Sequence, residues 1–118
     1  MVAALQTALA ILEDVPQLGP FVDNIYPLYA EEGVEGLYIT YKVDENATAT
    51  KSGVTQDRLT VAVFDTNYLH AAELADHIKD FFTADKRAGN FFHEATASDY
   101  TEDLKEAFVI VSFTFKHK

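Results

Sequence analysis

The hydrophobic spacing changes period inside one run, RLTVAVFDTNYLHAAELADHIKDFF, spanning Arg58 to Phe82. Leu59, Val61 and Val63 alternate, which is the two-residue period of a strand with one buried face. Ala71, Leu74, Ala75, Ile78 and Phe81 then recur at helical spacing, with Thr66 and Asn67 between the two patterns. A strand therefore feeds almost directly into a capped amphipathic helix, from about Tyr68 to Phe82, and the rest of the chain must pack around that unit. Nothing on the unit reads as a catalytic group.

The flanking segments follow from the same reasoning. Leu5, Ala8, Leu9 and Leu12 share one face of a helix from about Val2 to Leu12. Pro16, Gly19 and Pro20 break that pattern, so the chain to Asn24 reads as loop. Ile25-Tyr26-Pro27 forms a short extended piece, because a residue before proline avoids the helical region. An acidic loop from Glu31 to Gly36 precedes a strand, Leu37 to Glu45, with Leu37, Ile39, Tyr41 and Val43 on its buried face. The small polar segment Asn46 to Gly53 joins it to a strand from about Thr55 to Phe64 as a long hairpin loop.

After the helix, Asp85 to Gly89 turns the chain, Asn90 to Ala97 reads as another strand, and Glu102 to Glu106 is polar. The last strand, Ala107 to Lys116, is apolar on both faces and so belongs in the middle of a sheet. Together these elements predict a single α+β domain over residues 1–118. It has a mostly antiparallel four-stranded sheet with two helices packed on one face.

Composition narrows the function classes. Nine Lys and Arg against 19 Asp and Glu give a formal net charge of −10. Nucleic-acid affinity comes largely from cations neutralising phosphates, and here the cations are few and scattered, so neither nucleic acid nor an anionic membrane surface is an expected partner. The absence of cysteine excludes disulfides and thiolate chemistry. The apolar N-terminus lacks the basic start of a signal peptide, and Glu13 and Asp14 stand where a cleavage site would fall. No apolar run reaches the roughly 18 residues that span a bilayer. A soluble, cytoplasmic protein is the expectation.

Three constellations hold residue types that could carry chemistry. His70, Glu73, His77 and Asp80 share one side of the second helix and are of the right types to hold a divalent ion. A solvated flank beside the apolar stripe accounts for them as well. Glu31, Glu32 and Glu35, or Asp99, Glu102 and Asp103, supply paired carboxylates, but in polar segments where carboxylates stay ionised rather than poised for acid–base work. Ser52, Ser98 and Ser112 lie in no nucleophile elbow, and Gly33, Gly36 and Gly53 form no phosphate loop. Besides a metal-dependent enzyme, the sheet is compatible with a small-molecule-binding domain whose pocket is lined by Tyr38, Tyr41 or Phe64.

The order of landmarks carries a further signal. NIYPLYAEEGVEGLYITYKV is followed by the Arg58–Phe82 unit, and then by SDYTEDLKEAFVIVSFTFKHK at the end of the chain. In this order the chain resembles the small tail-completion or tail-terminator (minor tail) proteins of long-tailed bacteriophages and prophages. That is the group to which the phage lambda tail terminator is structurally related. The IYP element, the Leu37–Tyr41 strand, the Val61–Ile78 strand-to-helix unit and the Asp99–Leu104 stretch carry the resemblance.

What it implies is a non-enzymatic structural role without a cofactor: a ring, commonly hexameric, that caps the tail tube and offers a surface for head attachment. Implied partners are further copies of the chain, the tail-tube protein and head–tail connector proteins. Implied locations are the host cytoplasm during assembly and the tail or neck of the virion. The expected contacts of a ring subunit are Glu31, Glu32 and Glu35 in the acidic loop, and Asn46, Thr48, Thr50 and Lys51 at the hairpin tip.

Overall fold

The computed structural model describes residues 2–30, 36–49, 55–85, 91–102 and 106–117, with side chains at all of these except 46–49, 55–56 and 115–117. Helix α1 (Val2–Asp14) leads into a 3-10 helix (Pro16–Asn24), followed by strands β1 (Ile25–Pro27), β2 (Tyr38–Ala49) and β3 (Thr55–Asp65). Helix α2 (Tyr68–Ala84) comes next, then β4 (Phe91–Thr101) and β5 (Glu106–His117). The fold is α+β with a mixed five-stranded sheet in the order β1-β2-β3-β5-β4. No helix among the described residues is long and apolar enough to cross a membrane.

The sheet departs from the four expected strands because Ile25–Pro27 joins it, pairing parallel to β2 through Ile25–Ile39 and Pro27–Tyr41. Proline is tolerated there because this is an edge strand with one side free of ladder bonds. The other pairings are antiparallel. The third helix is also a departure: the residues read as loop wind as a 3-10 helix, started by Pro16 and anchored by buried Leu18. Proline at the first helical position lacks only an N–H that would have no helical partner. At the far end, the Asn24 amide donates to Leu37 O (3.0 Å), tying the helix to the residue that leads into β2.

One face of the sheet carries the core. Ile39, Tyr41 and Val43 of β2, Leu59, Val61 and Val63 of β3, and Val109, Val111 and Phe113 of β5 form one cluster with both α-helices. Helix α1 contributes Ala8, Ile11 and Leu12 and lies over β2; α2 contributes Ala71, Leu74, Ala75, Ile78 and Phe82 and lies over β3 and β5. As expected, β5 sits inside the sheet, between β3 and β4.

The hairpin differs from expectation at Asn46–Ala49, which continue β2 rather than forming a loop. Asp44 pairs with Arg58 and Thr48 with Gln56, so β2 bulges between them and its alternation is lost. Strand β4 likewise runs past Ala97 to Thr101, and the polar residue Glu106 opens β5.

Candidate assembly surfaces

The turn from β3 into α2 is held by one buried carboxylate. Asp65 Oδ1 accepts from the Asn67 backbone N–H (3.2 Å), and Asp65 Oδ2 lies 2.6 Å from His70 Nδ1. Asn67 is the N-cap, its side chain accepting from the His70 N–H at 3.1 Å. His70 is thereby turned toward Asp65, while Glu73, His77 and Asp80 stay exposed on the helix. Among the described residues, no group of three or more His, Cys, Asp or Glu is placed to hold a metal ion.

The sheet face away from the helices is polar at one end and aromatic at the other. Arg58 of β3 reaches over β5 to Glu94 of β4, with Nε–Oε2 at 2.9 Å and Nη2–Oε1 at 3.1 Å, in a bidentate clasp. At the other end Tyr38 stacks on Phe64 (centroids 4.6 Å apart), and Phe64 lies 5.3 Å from Phe108. Tyr38 is buried here, whereas Tyr41 is buried in the core on the opposite face. They are three positions apart, and side chains an odd number of positions apart on a strand point to opposite sides. Tyr38, Tyr41 and Phe64 therefore do not line one pocket.

Tyr38 donates from its hydroxyl to Glu106 Oε2 at 3.1 Å. Burial first, then the charge of Glu106 and this hydrogen bond, push the Tyr38 phenol up to about 12. An unfolded tyrosine titrates near 10. The folded state thus keeps a proton that the unfolded state releases. The resulting stability is fully present below about pH 10 and is lost as pH rises toward 12. Urea unfolding from pH 9 to 12 should show wild type losing about 1–2 kcal/mol more than Tyr38→Phe, the upper conversion being reduced because this face is open to solvent. Parallel pH profiles for the two proteins would refute the assignment.

Apart from Val2 and Val22 on the N-terminal helices, the exposed large apolar residues among those described gather toward the two edges of the sheet. Beyond β1, Leu28 and Tyr29 project at 64% and 72% exposure. Leu28 adopts φ +69°, and the Tyr29 N–H donates back to Pro27 O at 2.8 Å, a γ-turn. At the opposite edge Tyr68, Ser98, Asp99, Tyr100 and Ala107 line an open cleft of about 380 Å³ between the start of α2 and β4. The Tyr68 hydroxyl and Ser98 Oγ are 2.9 Å apart across it. Tyr68, Tyr100 and neighbouring Leu69 are all exposed.

Of the contacts expected for a ring subunit, Glu31, Glu32, Glu35, Thr50 and Lys51 lie outside the described residues. Asn46 and Thr48 lie on the β2 backbone rather than at a loop tip. The edge residues Leu28, Tyr29, Tyr68 and Tyr100 carried no such expectation. Their signal was in the sequence only as large apolar side chains flanking a proline, a cap and an acidic stretch.

Neither family models nor curated protein sequences give a match to this chain. Among solved structures, a similar one is a chain of the virion of a native gene transfer agent particle. The likeness covers 92% of this chain and 90% of that chain, with a TM-score of 0.67 at 11% sequence identity. The fold is shared.

Proposed function

We propose that this chain is a structural protein of a tailed-phage-like particle, forming a ring that terminates the tail tube and joins tail to head. The observation that carries this reading is the fold shared, over nearly the full length of both chains, with a component of a gene transfer agent virion. The landmark order of the sequence points the same way. The edges of the sheet are also suitable, because a head-to-tail ring needs two different surfaces on opposite sides of each subunit. The net charge of −10 suits a lumen through which DNA passes without sticking, since like charges repel. On this reading the ring is hexameric, and its partners are the tail-tube protein on one side and head–tail connector proteins on the other.

Purified chain mixed with tail-tube protein should give rings by native mass spectrometry, with six copies, and tubes capped at one end by electron microscopy. A strict monomer at high concentration that leaves the tubes uncapped would remove the reading.

A further inference from the structure

We infer that neighbouring copies join edge to edge, with the Leu28–Tyr29 turn of one copy seated in the Tyr68–Tyr100 cleft of the next. The contact rests on the ring reading above and names the surfaces that would build it. Its first support is position: the turn follows β1 and the cleft borders β4, the two outermost strands of the sheet. A contact between unlike edges propagates in one direction and closes into a ring when the rotation fits.

The second support is the turn itself. Leu28 holds the left-handed backbone region that glycine occupies without strain, and its N–H is fixed to Tyr41 O at 2.8 Å. Yet within one copy the leucine and tyrosine side chains stay largely exposed, so the strained turn gains little from them there. A rigid turn that presents two apolar side chains to solvent is suited to insertion. The cleft matches it in chemistry. Tyr68 and Tyr100 offer aromatic surface, and the Asp99 carboxylate offers an acceptor for a phenolic hydroxyl such as that of Tyr29.

Area decides how such a contact behaves. At roughly 200 Å² per large side chain, the exposed parts of Leu28, Tyr29, Tyr68, Leu69 and Tyr100 sum to about 600 Å². A stable free pair buries about 1,200 Å² or more. One contact is therefore weak, and closure of the ring, which holds each copy at both edges, makes it persist. Dilute chain is expected to be monomeric and to assemble at high concentration or on a tube.

The lack of native cysteine gives a clean background for cross-linking. Ala30→Cys lies beside the turn and Glu102→Cys near the cleft, and each leaves the proposed contact side chains intact. With a short bis-maleimide under assembling conditions, the mixture should link one variant to the other, while each variant alone should not link to itself. Adding Tyr29→Asp to the Ala30→Cys chain should reduce the linked fraction at least ten-fold. Either variant linking to itself in preference, or Tyr29→Asp linking as well as its parent, overturns the contact. If Tyr29→Asp still forms rings and caps tubes, the contact is wrong and the ring reading stands. If the unmodified chain neither associates nor binds tubes, both fall.

Discussion

Phe113→Ala is expected to destabilise the fold by about 3–5 kcal/mol, a large part of the 5–15 kcal/mol typical of a domain. Phe113 is fully buried on β5, the strand between β3 and β4. Its ring stacks on Phe82 of α2 at 4.8 Å, and Phe82 meets Phe91 of β4 edge-on at 5.9 Å. This trio pins the helix to the sheet and fastens the start of the edge strand to both. Truncation to alanine loses the transfer energy of the ring, leaves a cavity and removes an aromatic pair worth about 0.5–1.5 kcal/mol. Phe92→Ala is the control: Phe92 is the next residue after Phe91 on β4 but is 56% exposed, and its loss should stay within about 0.5 kcal/mol. Urea unfolding of both variants checks the pair. Equal midpoints would mean that the trio does not anchor α2.

That contrast also shows which parts of the fold were legible in the sequence. The β3–α2 unit was readable because its buried faces keep a strict period, and β5 because it shows apolar residues at successive positions, with half-buried Phe108 and Ile110 on the outer face beside Val109, Val111 and Phe113 of the core. Strand β1 was not readable as a sheet member. It has three residues and no alternation to show, and what places it in the sheet is parallel backbone pairing with β2. Strand β2 looked finished at Glu45 because a bulge beyond Asp44 destroys the period. Strand β4 looked finished at Ala97 because from Phe92 to Tyr100 it is exposed on both faces, so no pattern marks its length.

The surfaces were harder to read than the elements. Glu106 looked like part of a polar link, but the sheet register buries it beneath the Tyr38 hydroxyl, 68 positions away in the chain. The turn at Leu28 and the cleft beside Tyr100 become opposite edges only once strand order is known. Strand order is a long-range property that local spacing does not encode. Because the helices and the inner sheet face serve the core, the surfaces left for contacts are edges and loops. Those are the places where a single sequence says least.

Asp65→Ala should be the most costly polar substitution, at about 2–3 kcal/mol. The carboxylate is 7% exposed, yet it accepts from the Asn67 backbone and pairs with the His70 ring, joining the last residue of β3 to the first turn of α2. Hydrogen bonds to a charged group contribute about 1.5–3 kcal/mol, and a negative charge at a helix N-terminus adds about 0.3–1 kcal/mol. Asn67→Ala removes only the cap and should cost about 1 kcal/mol. Asp65→Asn keeps an acceptor for the Asn67 N–H and should fall between wild type and Asp65→Ala. The consequence reaches the cleft, because the turn that Asp65 secures also carries Tyr68 and Leu69 beside it. Loosening it should raise amide hydrogen exchange at Tyr68–Ala72 while the buried β5 amides, protected by both neighbouring strands, change far less. Exchange rising equally throughout the chain would assign Asp65 to global stability alone. An Asp65→Ala midpoint matching that of wild type would remove its role at the turn altogether.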